Sequence, residues 1–162
     1  MASRRVWKYG DHVNTDLIIP GRYLDDYNAT SLAAHAMEDI DPSFAASVEK
    51  GDIIVAGRNF GCGSSREQAP LALKAVGAGA VVARSFARIF YRNCINVGLP
   101  VIMCDAADLF HTGQRAEIDL TAGTIRNLDT GRCARFEPLP DFLLEILEEG
   151  GLVAYMKERL GR

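Results

Sequence analysis

Short apolar runs separated by polar turns fill the first two thirds of the chain. Residues 52–57, 80–83 and 101–104 are β-branched or small apolar runs of strand length. Between them, residues 68–76 and 86–93 carry helical spacing. Strand and helix therefore alternate, the signature of an α/β protein. Upstream, 6–9 reads as a short strand, 11–16 as a turn with polar anchors, and 17–19 as an apolar strand ending at Pro20. Residues 21–30 read as a loop, 31–38 as a helix with Leu32, His35 and Ala36 on one face, and 44–48 as a second short helix. Downstream the period shortens. Residues 117–120 and 124–127 alternate around Ala122-Gly123 as a β-hairpin, with 133–136 as a third strand. Leu139-Pro140 then opens a helix whose face Phe142, Leu143, Ile146 and Leu147 is a core stripe; Gly150-Gly151 breaks it, and 152–160 resumes helix. There is no internal repeat and no low-complexity linker.

A length of 162 residues suits one domain spanning 1–162 with a real core. Apolar residues make up 48% and charged residues 24%, an ordinary globular balance. The net charge of −3, with no Lys/Arg cluster, argues against nucleic acid as a partner. Two arginines near the N-terminus have no apolar segment behind them, so no secretory signal is expected. No apolar stretch reaches the roughly 20 residues of a membrane helix, so the expected location is cytoplasmic. Four cysteines (62, 94, 104 and 133) form no C-x-x-C pair and match no zinc or ferredoxin spacing. They read as free, mostly buried thiols, with no metal held by this chain.

One stretch carries candidate chemistry: Arg58-Asn59-Phe60-Gly61-Cys62-Gly63-Ser64-Ser65-Arg66-Glu67, between an expected strand and an expected helix. A Gly-rich turn opening a helix points amides and the positive end of the helix dipole at one spot, which suits a carboxylate, a phosphate or a serine bearing charge. Ser64 and Glu67 also have the spacing of a capping box, which would start the helix without any chemistry. The two readings are compatible, because an amide that caps a serine also stabilises its alkoxide. Arg66 stands where a dinucleotide fingerprint needs glycine, and the Gly-Lys-Ser/Thr of a P-loop is absent. A serine acts as a base only where donors and positive charge stabilise its alkoxide. Arg66 can grip a carboxylate through two parallel hydrogen bonds. Asn14-Thr15-Asp16 reads as an Asx-type turn. His12, His35 and His111 are scattered and form no metal-like pair. Arg84, Arg88 and Arg92, spaced by four, suggest one helical face: a solvated stripe, a docking edge, or support for the anionic site.

Gly61-Cys62-Gly63-Ser64-Ser65-Arg66-Glu67 followed by Ala69-Pro70 resembles the small subunits of 3-isopropylmalate dehydratase, in the aconitase superfamily. Tyr9-Gly10-Asp11-His12-Val13-Asn14-Thr15-Asp16-Leu17-Ile18-Ile19-Pro20 and Ser85-Phe86-Ala87-Arg88-Ile89-Phe90-Tyr91-Arg92-Asn93 agree with it, in the right order. The resemblance runs from about Tyr9 to Gly150-Gly151-Leu152. It implies a swivelling β/β/α domain of the aconitase C-terminal type. It further implies that Ser64 is the base, that Ser65 and Arg66 bind substrate carboxylate, and that Thr15, Asp16, Gly61 and Gly63 support them, Asp16 at the interface with a large subunit. A [4Fe–4S] cluster is then expected on that large subunit and none on this chain.

The loop after Tyr23-Leu24 bears on substrate choice. Related enzymes for tricarboxylic substrates typically carry arginine next, whereas this chain has Asp25, which would repel a third carboxylate. The expected substrate is a hydroxy-dicarboxylate, and the expected reaction interconverts 2- and 3-isopropylmalate in leucine biosynthesis. Homoaconitate and other malate derivatives (dimethylmalate, citraconate) remain as alternatives, as does a non-catalytic anion-binding regulatory module.

Overall fold

The two central parallel strands of this protein, Ile53–Ala56 and Ala80–Ala83, are buried on both faces, which is why they read as unbroken apolar runs rather than alternating ones. The computed structural model describes residues 3–161. In chain order the elements are β1 (Arg4–Lys8), α1 (Thr15–Ile18), α2 (Ala29–Ala34), α3 (Phe44–Ser47), β2 (Ile53–Ala56), α4 (Gln68–Val76), β3 (Ala80–Ala83), α5 (Arg88–Val97) and β4 (Val101–Met103), followed by β5 (Arg115–Asp119), β6 (Thr124–Asn127), β7 (Cys133–Arg135), α6 (Asp141–Glu148) and α7 (Leu152–Arg159). Seven strands form one sheet in the order β4-β3-β2-β1-β5-β6-β7. The β1–β4 half is parallel and the β5–β7 half antiparallel, with β1 as the hinge between them.

The sheet separates two cores. Trp7, Ile54, Ala56, Val81, Ala83 and Val101 face one core, where Leu32, Phe44, Leu73 and Phe90 of the helices meet them. Val6, Ile53, Val55, Val82 and Ile102 face the other, which the curled antiparallel half covers with Ala116, Ile118, Ile125 and Phe136. Lys74 of α4 fastens the C-terminal helices: its ammonium donates to Val97 O at 2.5 Å and Gly150 O at 3.1 Å. Burial lowers its pKa.

The expected α/β alternation is the one found, and 68–76 and 80–83 match their elements to the residue. Several boundaries differ, each for a local reason. The apolar run 17–19 is no strand. Asn14 Oδ1 accepts from Leu17 N at 2.9 Å and starts the single turn of α1, which still buries Ile18. Residues 21–30 are not all loop. A 3-10 turn occupies Gly21–Tyr23, and α2 begins at Ala29 because Asn28 Oδ1 caps Ser31 N at 3.0 Å. The helix expected over 86–93 runs instead from Arg88 to Val97. Phe86 is held extended by a bridge to Phe60, and Gly98 in the left-handed region (φ +81°) ends the helix one turn late. Arg84 therefore lies off α5 and approaches Asp105 at 3.8 Å, so the three arginines do not share one helical face. No helix among the described residues is long and apolar enough to cross a membrane.

Asp52 anchors the start of β2. Although only 3% exposed, its Oδ2 accepts from Trp7 Nε1 at 3.0 Å, from Arg5 at 3.2 and 3.3 Å, and from Glu49 N at 2.9 Å. Asp52→Ala strands these donors and should cost about 3 kcal/mol, read as a lowered urea midpoint with unchanged slope.

Candidate active site

The serine turn sits beyond the C-terminal ends of the parallel strands, the usual place for a site in such sheets. Backbone hydrogen bonds hold it from both sides. Toward the segment before α1, Gly57 N donates to Gly10 O at 3.1 Å, His12 N to Arg58 O at 2.8 Å, Gly61 N to Val13 O at 2.8 Å, and Thr15 N to Cys62 O at 2.8 Å. Toward the segment before α5, Phe60 N donates to Ser85 O and Ala87 N to Phe60 O, both at 3.0 Å. Asn59, at φ +60°, is pinned through its N–H to Ser85 Oγ at 2.8 Å. Two glycines are required by this crowding. Gly61 has φ +82°, and a Cβ there would overlap the ring of Phe90; a Cβ on Gly63 (φ +99°) would press on Thr15 Oγ1 at 3.3 Å. Gly61, Gly63 and Thr15 thus come together as the sequence suggests.

Ser64 and Ser65 are exposed and face an open cleft of about 330 Å³, lined also by Gly61, Gly63, Ala87, Arg88, Ile89 and Phe90. The capping box does not form. Helix α4 starts at Gln68, its cap residue Glu67 is already helical, and Ser64 offers only its carbonyl, to Arg66 N at 3.0 Å. Ser65 and Arg66 separate Ser64 from the cap residue of α4, and the helix start that lines the serine cleft is that of α5. Its cap residue Ala87 supplies no side-chain cap. The α5 start, carried on Phe86-Ala87-Arg88, belongs to the site through space rather than through adjacency.

Arg66 turns away from that cleft, toward α1. Its Nη1 pairs with Asp16 Oδ1 and lies 3.4 Å from Ile19 O. The side chain is 14% exposed, and its Nε is buried without a partner. Asp16 thus orients Arg66, and Gly21 lies beside the pair with no side chain to displace it.

The 21–28 loop is held separately. Tyr23 stacks on His35 at 3.9 Å and donates to Glu38 at 3.0 Å; Glu38 also pairs with Arg22. The hydrogen bond from His35 Nδ1, at 2.9 Å, is the main cause holding Glu38 below the usual carboxylate range, with Tyr23 and Arg22 adding to it. Leu24 O accepts from the buried amide of Gln68 at 2.7 Å. Sequence reasoning missed Gln68; a polar residue opening the otherwise apolar face of α4 was the available signal. Asp25 is exposed and does not line the serine cleft.

Among the described residues no group of His, Cys, Asp or Glu could hold a metal ion, and the cysteines do not gather to fit an iron–sulfur cluster. Cys94 and Cys104 are buried, which raises their pKa values; Cys62 is half-buried, and Cys133 is exposed.

Comparison with known proteins agrees with this geometry. The aconitase C-terminal domain matches residues 11–106. The 3-isopropylmalate dehydratase small subunit 1 of Methanopyrus kandleri is 57% identical over 94% of this chain and 91% of its own length. The chain belongs to the family of 3-isopropylmalate dehydratase small subunits. Within reach of the same family, the methanogen homoaconitase small subunit of Methanothermobacter thermautotrophicus is 61% identical over 92% of this chain and 86% of its own length. The crystal structure of the 3-isopropylmalate dehydratase leuD from Methanocaldococcus jannaschii superposes with a TM-score of 0.92 at 49% identity, covering 98% of this chain and 94% of that one.

Gly61→Ala adds a methyl against Phe90 and forces a left-handed alanine. It should cost roughly 2–4 kcal/mol, measured by equilibrium denaturation.

Proposed function

We propose that the chain is the swivel-type small subunit of a cytoplasmic 3-isopropylmalate dehydratase, a single domain that works with a large subunit to interconvert 2- and 3-isopropylmalate. The observation that carries the reading is the Ser64-Ser65 turn, exposed in a cleft at the uncapped start of α5, with Arg66 next in the chain on the α1 side, in a chain of this family. Ser64 is the base. It takes the proton from the carbon beside one carboxylate, and the C–H electron pair becomes the double bond as hydroxide leaves the neighbouring carbon. Returning the proton and hydroxyl with their positions exchanged gives the isomer. Assistance to the departing hydroxide is Lewis-acid chemistry, assigned in this reading to a [4Fe–4S] cluster on the large subunit.

A serine alkoxide is unfavourable in open water, and this cleft is open. The positive end of α5 lowers the cost of charge at Ser64. Exclusion of water by the large subunit would strengthen that effect. Ser65 and Arg66 bind a substrate carboxylate, with Asp16 and Thr15 fixing their positions. In the complex, Ser64→Ala should lower kcat on the order of 10²-fold or more with little change in KM. Near-normal turnover would favour the regulatory anion-binding reading.

Homoaconitase is the second reading, favoured by the 61% identity to the Methanothermobacter subunit. Asp25 opposes it by repelling a third carboxylate. Because Asp25 is exposed, the repulsion is screened. Asp25→Arg should shift the ratio of kcat/KM toward homoaconitate by about five-fold or less. A wild-type complex that already prefers the tricarboxylate would replace the first reading with the second.

A further inference from the structure

We propose that Arg88 binds the second carboxylate of the substrate, across the serine turn from Arg66; the inference rests on the reading of the serine cleft as the active site. A hydroxy-dicarboxylate presents two anionic groups, and Arg66 can serve only one of them. Its Nη1 is held by Asp16 and Ile19 O, and its Nε is buried, so one edge of the guanidinium remains to offer. That guanidinium lies on the α1 side of the turn.

Arg88 stands on the opposite side. It is the first residue of α5, it is exposed, and it lines the same cleft as Gly61, Gly63, Ser64 and Ser65. Arg84 approaches Asp105, whereas Arg88 makes no ion pair or hydrogen bond with any described residue. Its position works against the helix. A cation in the first turn is opposed by the helix dipole, and no acidic residue in that turn offsets it. A guanidinium that local stability disfavours, left unpaired in a cleft beside two serines, is available for an external anion. Ile89, half exposed beside it, offers the cleft an apolar wall for an alkyl substituent. A dicarboxylate lying across Ser64 would then be gripped at both ends, with the carbon acid between them over the hydroxyl.

The test uses the complex reconstituted with the large subunit, with Arg88→Gln and Arg88→Lys variants. Isopropylmalate and its two monoamides, each lacking one carboxylate charge, are the substrates. Arg88→Gln should raise KM for the diacid about 10- to 100-fold while kcat holds within about threefold. Arg88→Lys should recover part of the loss, since a point charge replaces the planar fork. For one monoamide, wild type and Arg88→Gln should have the same KM, because the charge that Arg88 reads is gone. An unchanged KM for the diacid overturns the proposal, as does an equal rise for the diacid and both monoamides. Failure of Arg88→Gln to bind the large subunit also overturns it and assigns the residue to docking. The parent reading fails separately, through a Ser64→Ala complex that retains turnover, whatever Arg88→Gln does to KM.

Discussion

The structure depends on one loop being held by backbone on both sides. Residues 57–62 lie between the chain before α1 and the chain before α5, taking hydrogen bonds from each. This is a short extension of the parallel sheet beyond its strands, made mostly of main-chain bonds and helped by the side chains of Asp11 and Ser85. Main-chain bonds of this kind have little rotamer freedom to lose, so the serine turn they carry is fixed before any substrate arrives. The cost is sequence freedom. Gly57 abuts Asp11, whose carboxylate accepts from Arg58 N at 2.7 Å, and Gly61 abuts Phe90. Asn59 accepts a left-handed backbone that few other residues tolerate. The aromatic cluster Phe60, Phe86, Phe90 and Tyr91 then seals the loop from below, with ring centroids 5.5–6.4 Å apart among the three phenylalanines.

Charge is arranged around that fixed turn by burial. Arg66 lies mostly covered and leans on Asp16, which is 62% exposed. An ion pair so wet contributes little to stability. Its effect is orientation: it settles the rotamers of a long side chain that would otherwise lose that freedom on binding. The unpartnered Nε marks the limit of the arrangement, since a buried N–H without an acceptor costs free energy. The serines are treated in the opposite way. They are exposed, and the helix start that lines their cleft, that of α5, is uncapped, so their hydroxyls face water.

Much of this was legible in the sequence, and the pattern of misses is physical. Elements such as α4 and β3 were readable to the residue because length and punctuation bound them: nine residues of good helix formers end at Gly77, and four apolar residues lie between Gly79 and Arg84. The serine motif was readable as a candidate site through its family resemblance, since local pattern alone fits a helix cap as well. The partner of that motif was not. Adjacency suggested α4 as the helix serving Ser64, and the capping-box spacing reinforced it, yet an intervening stretch of non-helical chain carries Ser64 out of reach. The bridge between Phe60 and Phe86 brings α5 there instead, a pairing of residues 26 positions apart in sequence with no local signal. The strand read at 17–19 failed for a similar reason: Leu, Ile and Ile suit either a strand or one buried helical turn, and the cap supplied by Asn14 decided it.

The two halves of the site are held by different kinds of bond. The turn bearing Ser64 is fixed by main-chain bonds and by glycines. The loop bearing Asp25 is fixed by side chains: Gln68 on Leu24 O, and Tyr23 among His35, Glu38 and Arg22. A substitution at the tip of that loop leaves every one of those contacts in place, and none of them touches the serine turn. Exposed residues at that tip can therefore change without disturbing the serine turn. Relatives named for isopropylmalate and for homoaconitate, at 57% and 61% identity to the same chain, are what such a division would produce.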